Sequence, residues 1–329
     1  MLVSADDLER SLATVRANAA GDREGIFGPA SVTWQVDREA AVFLGAGRAL
    51  LLQLAHPWVA AAIADQSRAF ADPIGRFHRT FNVVFTMVFG TPDQALAIAR
   101  RLYRRHAVVA GALPIAAGPF AAASRYEANE VSALRWVHAT LVETALLAHD
   151  LVLPQLADEA RERYWSEARV FAALFGIPPD SLAPDWPSFV AYSDAMTNSD
   201  VLVVSPAARD IARQIFSGAA TRVRPPLWYR ALTAQMLPER LRVAYELPFA
   251  DAERRSASRA LKWMRRIYPA LPDRLRTVGP YQEALARLHG RNRPSLAAQA
   301  LNRLWIGQPN MGLPATQDMS AQRERGKAG

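Results

Sequence analysis

Thr91-Pro-Asp-Gln-Ala-Leu-Ala-Ile-Ala-Arg-Arg-Leu-Tyr-Arg-Arg-His-Ala-Val-Val-Ala-Gly111 reads as a complete helix with its own punctuation. Thr91 is placed to cap the first turn, Pro92 occupies the first helical position, where its missing N–H costs nothing, and Gly111 stops the run. Leu102 and Tyr103 fall one turn before His106, with Val109 and Ala110 one turn after, so the imidazole lies on the apolar stripe. Arg101, Arg104 and Arg105 largely take the other faces. A histidine in that position without a carboxylate on its own helix is either a satisfied core residue, the commoner case, or a metal or cofactor ligand.

The same helical period recurs on both sides of this segment, and β-branched runs are short, so the chain is expected to be all-α. An amphipathic start, Ser4 to Ala20, leads through a Gly-rich turn to a helix beginning after Ser31. Asp37 to Ser67 is nearly all apolar, the pattern of a buried helix kinked before Pro57. Asp72-Pro73 caps a helix running to Phe89. Further helices are expected from Asn129 to Leu151, Leu156 to Phe175 and Asp185 to Met196, and the later third alternates helices with Pro-rich breaks. Ala107 to Ala123 reads as a buried connection whose small residues either line a route to a bound group or serve close packing. The expected organisation is an amino-terminal helical extension (1–26), one helical domain (27–290) and a partly ordered tail (291–329).

Half of the 329 residues are apolar, enough for a sizeable core. The formal charge of +8 raises nucleic acid or an anionic membrane as partner. Arginines are interleaved with acids along the chain, which argues against a nucleic-acid stripe and leaves peripheral membrane association open. There is no cysteine, hence no disulfide, thiolate or Cys-ligated metal. The acidic amphipathic start lacks a secretory pattern, so a cytoplasmic location is expected. His-Glu-x-x-His, paired Glu-x-x-His and Gly-x-Ser-x-Gly are all missing. Gly45-Ala-Gly47 imitates the opening of a dinucleotide fingerprint, but Leu50 holds the third position and no βαβ pattern follows, so helix packing is the better reading.

A histidine without a carboxylate partner in an apolar helical protein is the setting a haem needs. Upstream, Arg76 and Thr80 share a helix face one turn apart, beside the broad apolar surface of Phe77, Phe81, Val84, Phe85 and Val88. Arg76 and Arg79 are either solvated at the protein's edge or placed over a cofactor, pairing with propionates or with bound oxygen. His78, on another face, is a weaker ligand candidate. His138 is read as bonded to a haem propionate or to a backbone carbonyl, and His56, before the kinking Pro57, as structural.

The ordered set Leu50-Leu-Leu-Gln-Leu-Ala-His56-Pro57, Asp72-Pro-x-x-Arg76, Arg76-x-x-Arg79-Thr80, His106, Tyr126-x-Ala128-Asn129 and Trp136-Val-His138-Ala-Thr140 resembles the bacterial DUF2236 proteins. That group includes the latex clearing protein type of rubber oxygenase and the fungal oxygenases of the mycophenolic acid pathway. The resemblance runs from about Phe27 to His289. It implies a globin-like helical core with additional covering helices, and a b-type haem whose iron is held by His106. Arg76 and Thr80 then become haem-pocket residues, with Arg79 where the family carries its distal lysine. The family's pocket acid falls in Val59-Ala-Ala-Ala-Ile63, which is non-acidic, with Asp65 the nearest acid. The implied activity is that of a haem b oxygenase using dioxygen or peroxide on a small apolar substrate other than rubber. The alternative is a carrier of haem or of an apolar ligand without turnover.

Overall fold

The computed structural model describes residues 1–65, 73–218, 224–291 and 293–313. Among them are sixteen α-helices and one two-stranded sheet, so the chain is all-α as its periodicity requires. Helix α1 (Ala5–Ala17) opens with a capping box between Ser4 and Asp7 and buries Leu8, Leu12 and Val15. Helix α2 (Val32–Asp37) starts on Ser31, whose hydroxyl accepts from the Trp34 N–H.

The apolar stretch expected to form one kinked helix is three pieces, a 3-10 turn over 40–45, α3 (Ala46–Leu54) and α4 (Pro57–Asp65). Its last expected residues, 66 and 67, lie outside the described residues, as does Asp72. Two contacts explain the first break. A Cβ on Gly45 would come within 2.3 Å of Thr144 Cγ2, and one on Gly47 within 2.6 Å of Thr233 Oγ1. Gly45-Ala-Gly47 is therefore a packing device that lets two other helices approach. Arg48, buried beside it, fixes the junction through Glu143 (2.7 Å), Thr144 (2.6 Å) and the Met236 carbonyl (3.0 Å).

Helices α5 (Pro73–Phe89) and α6 (Pro92–Ala107) form an antiparallel pair. Gly90 closes the turn where a side chain would strike the Thr86 carbonyl, and Thr91 caps α6 in a reciprocal box with Gln94. The expected cap and Pro92 are thus in place. Beyond α6 the structure departs from the expected buried connection. Strand β1 (Ala110–Ala112) pairs antiparallel with β2 (Arg125–Glu127), and most of 107–123 is exposed, with Leu113 and Ala117 buried. Backbone pairing satisfies the strands, and small residues at the surface cost little, so hydrophobic content alone misplaced this segment.

Helix α7 (Val131–Val152) runs through the centre, buried on several sides by Leu134, Trp136, His138, Val142 and Leu146. It separates two apolar clusters. One gathers α1, α2, α5 and α6, and the other gathers α3, α8 (Asp158–Ala173), α9 (Trp186–Asn198) and α10 (Pro206–Ser217). Covering helices follow, namely α11 (Leu227–Met236), α12 (Glu239–Ala244), α13 (Asp251–Ile267), α14 (Asp273–Arg276) and α15 (Gly279–Leu288). Of these, α11 packs on α13, and α13 packs on α7.

Residues 296–306, placed by the sequence reading in the tail, form α16 (Leu296–Ile306), which lies along α5. Trp305 stacks on Phe43 with ring centres 3.9 Å apart, and Asn302, fully buried, donates to Glu283 at 2.7 Å. Gly312 N–H reaches Thr86 at 3.0 Å. Up to residue 313 the segment is part of the packed body. Among the described residues no helix is long and apolar enough to cross a membrane.

Candidate functional site

The α5–α6 hairpin brings the carboxy-terminal turn of α6 back toward the amino-terminal turns of α5, so that the Arg105 charge, next to His106, acts on Arg76. His106 is half-buried. Desolvation, reinforced by the Arg105 charge, pulls its pKa down to about 4, and a side-chain hydrogen bond with Asn129 works in the other direction. At neutral pH the ring is uncharged. Asn129 is itself buried at the mouth of α7, and its amide nitrogen donates to the Tyr103 carbonyl at 3.3 Å. Its oxygen is then the atom left to face the imidazole. A neutral histidine with one ring nitrogen turned to a fixed acceptor can ligate a metal through the other.

Around this imidazole the charge is positive. Arg76 is half-buried, and desolvation lowers its pKa, with Arg79 and Arg105 adding repulsion. Arg101 is lowered likewise, by burial and by Arg105 and Arg104. Such a cluster favours an anionic ligand, because carboxylates brought against it relieve like-charge repulsion and accept charge-assisted hydrogen bonds. The two propionates of a haem, joined to a ring whose iron takes one neutral imidazole, have the chemistry this donor set fits. Among the described residues no three His, Asp or Glu side chains come together as metal ligands. His106 needs no such company if the macrocycle supplies the remaining donors.

Thr80, one turn inward from Arg76, is exposed and stands at the edge of a cavity. The cavity, of about 90 Å³, lies between α2, α5, α7 and α8 and is smaller than most small-molecule sites. Phe81, Val84, Phe85 and Val88 of α5 form one wall, with Leu141, Val142 and Ala145 of α7 opposite. Thr33 and Asp37 of α2 and Tyr164 of α8 supply polar atoms. Asp37 carries a pKa raised to about 7, first by desolvation and then by the neighbouring Glu167 charge. His106 does not line this cavity, and neither does 107–123.

The remaining histidines have other occupations. His138 is buried, and its Nε2 meets the Ala168 carbonyl at 2.8 Å, the backbone-carbonyl alternative of the sequence reading. Its Nδ1 has no partner, and burial takes its pKa to about 4. It touches Phe171, a cavity wall residue, and so backs the chamber from outside. His78 meets the Leu304 carbonyl at 3.1 Å and ties α5 to α16. His56 packs between the Trp58 and Phe120 rings with its Nδ1 unpartnered. Asp65, the acid nearest the family's pocket position, accepts a short hydrogen bond from the Tyr126 hydroxyl.

Arg76 and Arg79 thus share a cationic cluster with Arg105, the residue before His106, while Thr80 lines the cavity and His138 stands behind its wall. Four residues escaped the sequence reading. Asn129 was visible only as part of a motif, since its partner lies 23 positions away. Thr33 and Asp37 carry a signal in hindsight, two polar residues spaced by four on a short apolar helix. Tyr164 carries none.

Residues 33–266 match the family described as ER-bound oxygenase mpaB/B'/Rubber oxygenase, catalytic domain. No curated protein and no solved structure matches the chain. The matched segment runs from Thr33 in α2 almost to the end of α13 and so contains the α5–α6 hairpin, Asn129 and every wall of the cavity. The chain belongs to this family of oxygenase catalytic domains.

Proposed function

We propose that the protein is a haem b-dependent oxygenase that uses dioxygen or peroxide on a small apolar substrate. The observation that carries this reading is a neutral His106 next to a cationic cluster of Arg76, Arg79 and Arg105 at the α5–α6 hairpin, whose Thr80 lines an apolar cavity. His106 would ligate the iron, and Arg76 and Arg79 would receive the propionates. Haem, when bound, supplies the redox centre at which dioxygen or peroxide is activated.

The chain's own residues do the rest. Asn129 holds the imidazole in one tautomer, and desolvation keeps it neutral. The apolar walls of α5 and α7 favour an apolar substrate by burial, about 25 cal/mol for each Å² removed from water. Thr80 adds a hydroxyl at the boundary between the cationic cluster and the chamber. Arg79 keeps a fixed positive charge and is a poor iron ligand compared with a lysine.

Oxygen uptake with candidate terpenoids and lipids tests the proposal. Uptake is expected in the wild-type protein and absent in His106→Ala. A haem-loaded protein that consumes neither dioxygen nor peroxide with any of them would instead be a carrier of haem or an apolar ligand.

A further inference from the structure

The cavity is apolar along most of its wall but not at the end formed by α2 and α8. Thr33 and Asp37 lie one turn apart on the same face of α2, and Tyr164 reaches the same space from α8. Thr33 is 4% exposed, and its hydroxyl has no hydrogen-bond partner among the described residues. Neither the Asp37 carboxyl nor the Tyr164 hydroxyl has a hydrogen-bond partner among the described residues, and the two interact electrostatically. Asp37 is half-buried by accessible surface, yet desolvation dominates its ionisation. Those facts agree if its accessible part faces the cavity instead of bulk water.

The other polar groups near this end are already used. Glu167 of α8 accepts the Val32 N–H at 3.1 Å and the Thr33 N–H at 2.6 Å, closing the amino end of α2. Thr144, on the α7 wall, accepts from Arg48. On the α5 wall Thr80 stands at the outer edge. What remains is two hydroxyls and a carboxyl without a protein partner among the described residues, in a largely apolar chamber, where unsatisfied groups are costly and a ligand atom that satisfies them is correspondingly favoured.

We infer that Thr33, Asp37 and Tyr164 form a polar subsite that holds the hydroxyl or carbonyl oxygen of an otherwise apolar substrate. This names the substrate class of the chamber and rests on its reading as the substrate site of the oxygenase. An alcohol suits the set best, since its oxygen accepts from the Tyr164 or Thr33 O–H while its own O–H donates to Asp37. A carboxylate substrate would meet Asp37 and Glu167 and be disfavoured. A plain hydrocarbon would leave all three groups unsatisfied. The substrate is then held by its polar end at α2 and α8, with its hydrocarbon part extending along α5 and α7 toward Thr80.

The test is calorimetric titration of the protein as isolated with 1-decanol, decane, decanoate and decylamine. Decanol is expected to bind at least about tenfold more tightly than decane and than decanoate, because a site built to bond a hydroxyl rejects the analogue lacking it. Thr33→Val with Tyr164→Phe should bring the decanol-to-decane ratio close to one without weakening decane. Asp37→Asn, which keeps a neutral donor and acceptor, should preserve the preference for decanol. Equal binding of decanol and decane by the wild type would overturn the inference, and so would tighter binding of decanoate or decylamine, whether or not the variants fold. Haem content is read separately from the absorption spectrum. A haem-free protein that still prefers decanol refutes the oxygenase reading alone, and a haem-loaded one without the preference refutes the subsite alone.

Discussion

Replacing Asp37 by asparagine should stabilise the protein, and by an amount that depends on pH in a defined way. In the folded chain the carboxyl is raised from 3.8 to about 7, by desolvation first and by the Glu167 charge second. A shift of roughly three units at about 1.36 kcal/mol per unit sets an upper bound of about 4 kcal/mol. Water entering the cavity would soften the desolvation, so the expected gain above pH 7 is about 2 to 4 kcal/mol. The sign follows from proton binding. Between pH 4 and 7 the folded state holds a proton that the unfolded state has released, so wild-type stability due to this group falls as pH rises through that window and levels off above it. Asparagine has the same shape and no such penalty. The wild-type curve also carries the opposite slope of His56, His106 and His138, each lowered to about 4, and for that reason the difference between variant and wild type is the quantity to measure. Urea denaturation at pH 4.5 and pH 8 gives it. The variant's advantage should be about 1 kcal/mol or less at pH 4.5 and reach its full value at pH 8. A difference that does not change with pH would refute the burial of an uncharged Asp37 in the chamber.

Two further outcomes concern the cationic end. Asn129→Ala removes the acceptor that orients His106 and should weaken haem retention about 10- to 100-fold while leaving the helical content unchanged, checked by transfer of haem to an apoglobin acceptor and by circular dichroism. Arg76→Ala should also speed haem loss, and it should reduce the salt dependence of that loss, because one of the charges facing the propionates is gone; identical salt dependence in the two proteins would remove Arg76 from this role.

How much of this was legible beforehand depended on distance along the chain. The helices carry their own punctuation, and Ser31, Thr91 with Pro92, and Asp185 begin α2, α6 and α9 where a cap-and-period reading puts them. The 3-10 turn over 40–45 was not legible, because it is imposed by Thr144, a hundred positions on, pressing against Gly45. The β1–β2 pair escaped for the same reason, since six residues of weak strand character pair only because α6 and α7 bring their ends together. Helix α16 reads as a tail until Phe43 is known to offer a ring for Trp305. In the site, Arg76, Arg79, Thr80 and His106 were found by their order and by family resemblance. The polar end of the chamber is an accident of neither, since Tyr164 faces Thr33 and Asp37 only after α8 packs on α2.

The claim on which the rest depends is that His106 holds the iron of a haem. Absorption spectroscopy with iron analysis, on the purified wild type and on His106→Ala, addresses it most directly. The wild type is expected to show a Soret band with about one iron per chain, and His106→Ala is expected to lose both while keeping its helical circular dichroism. A Soret band and iron content retained in full by His106→Ala would contradict the assignment.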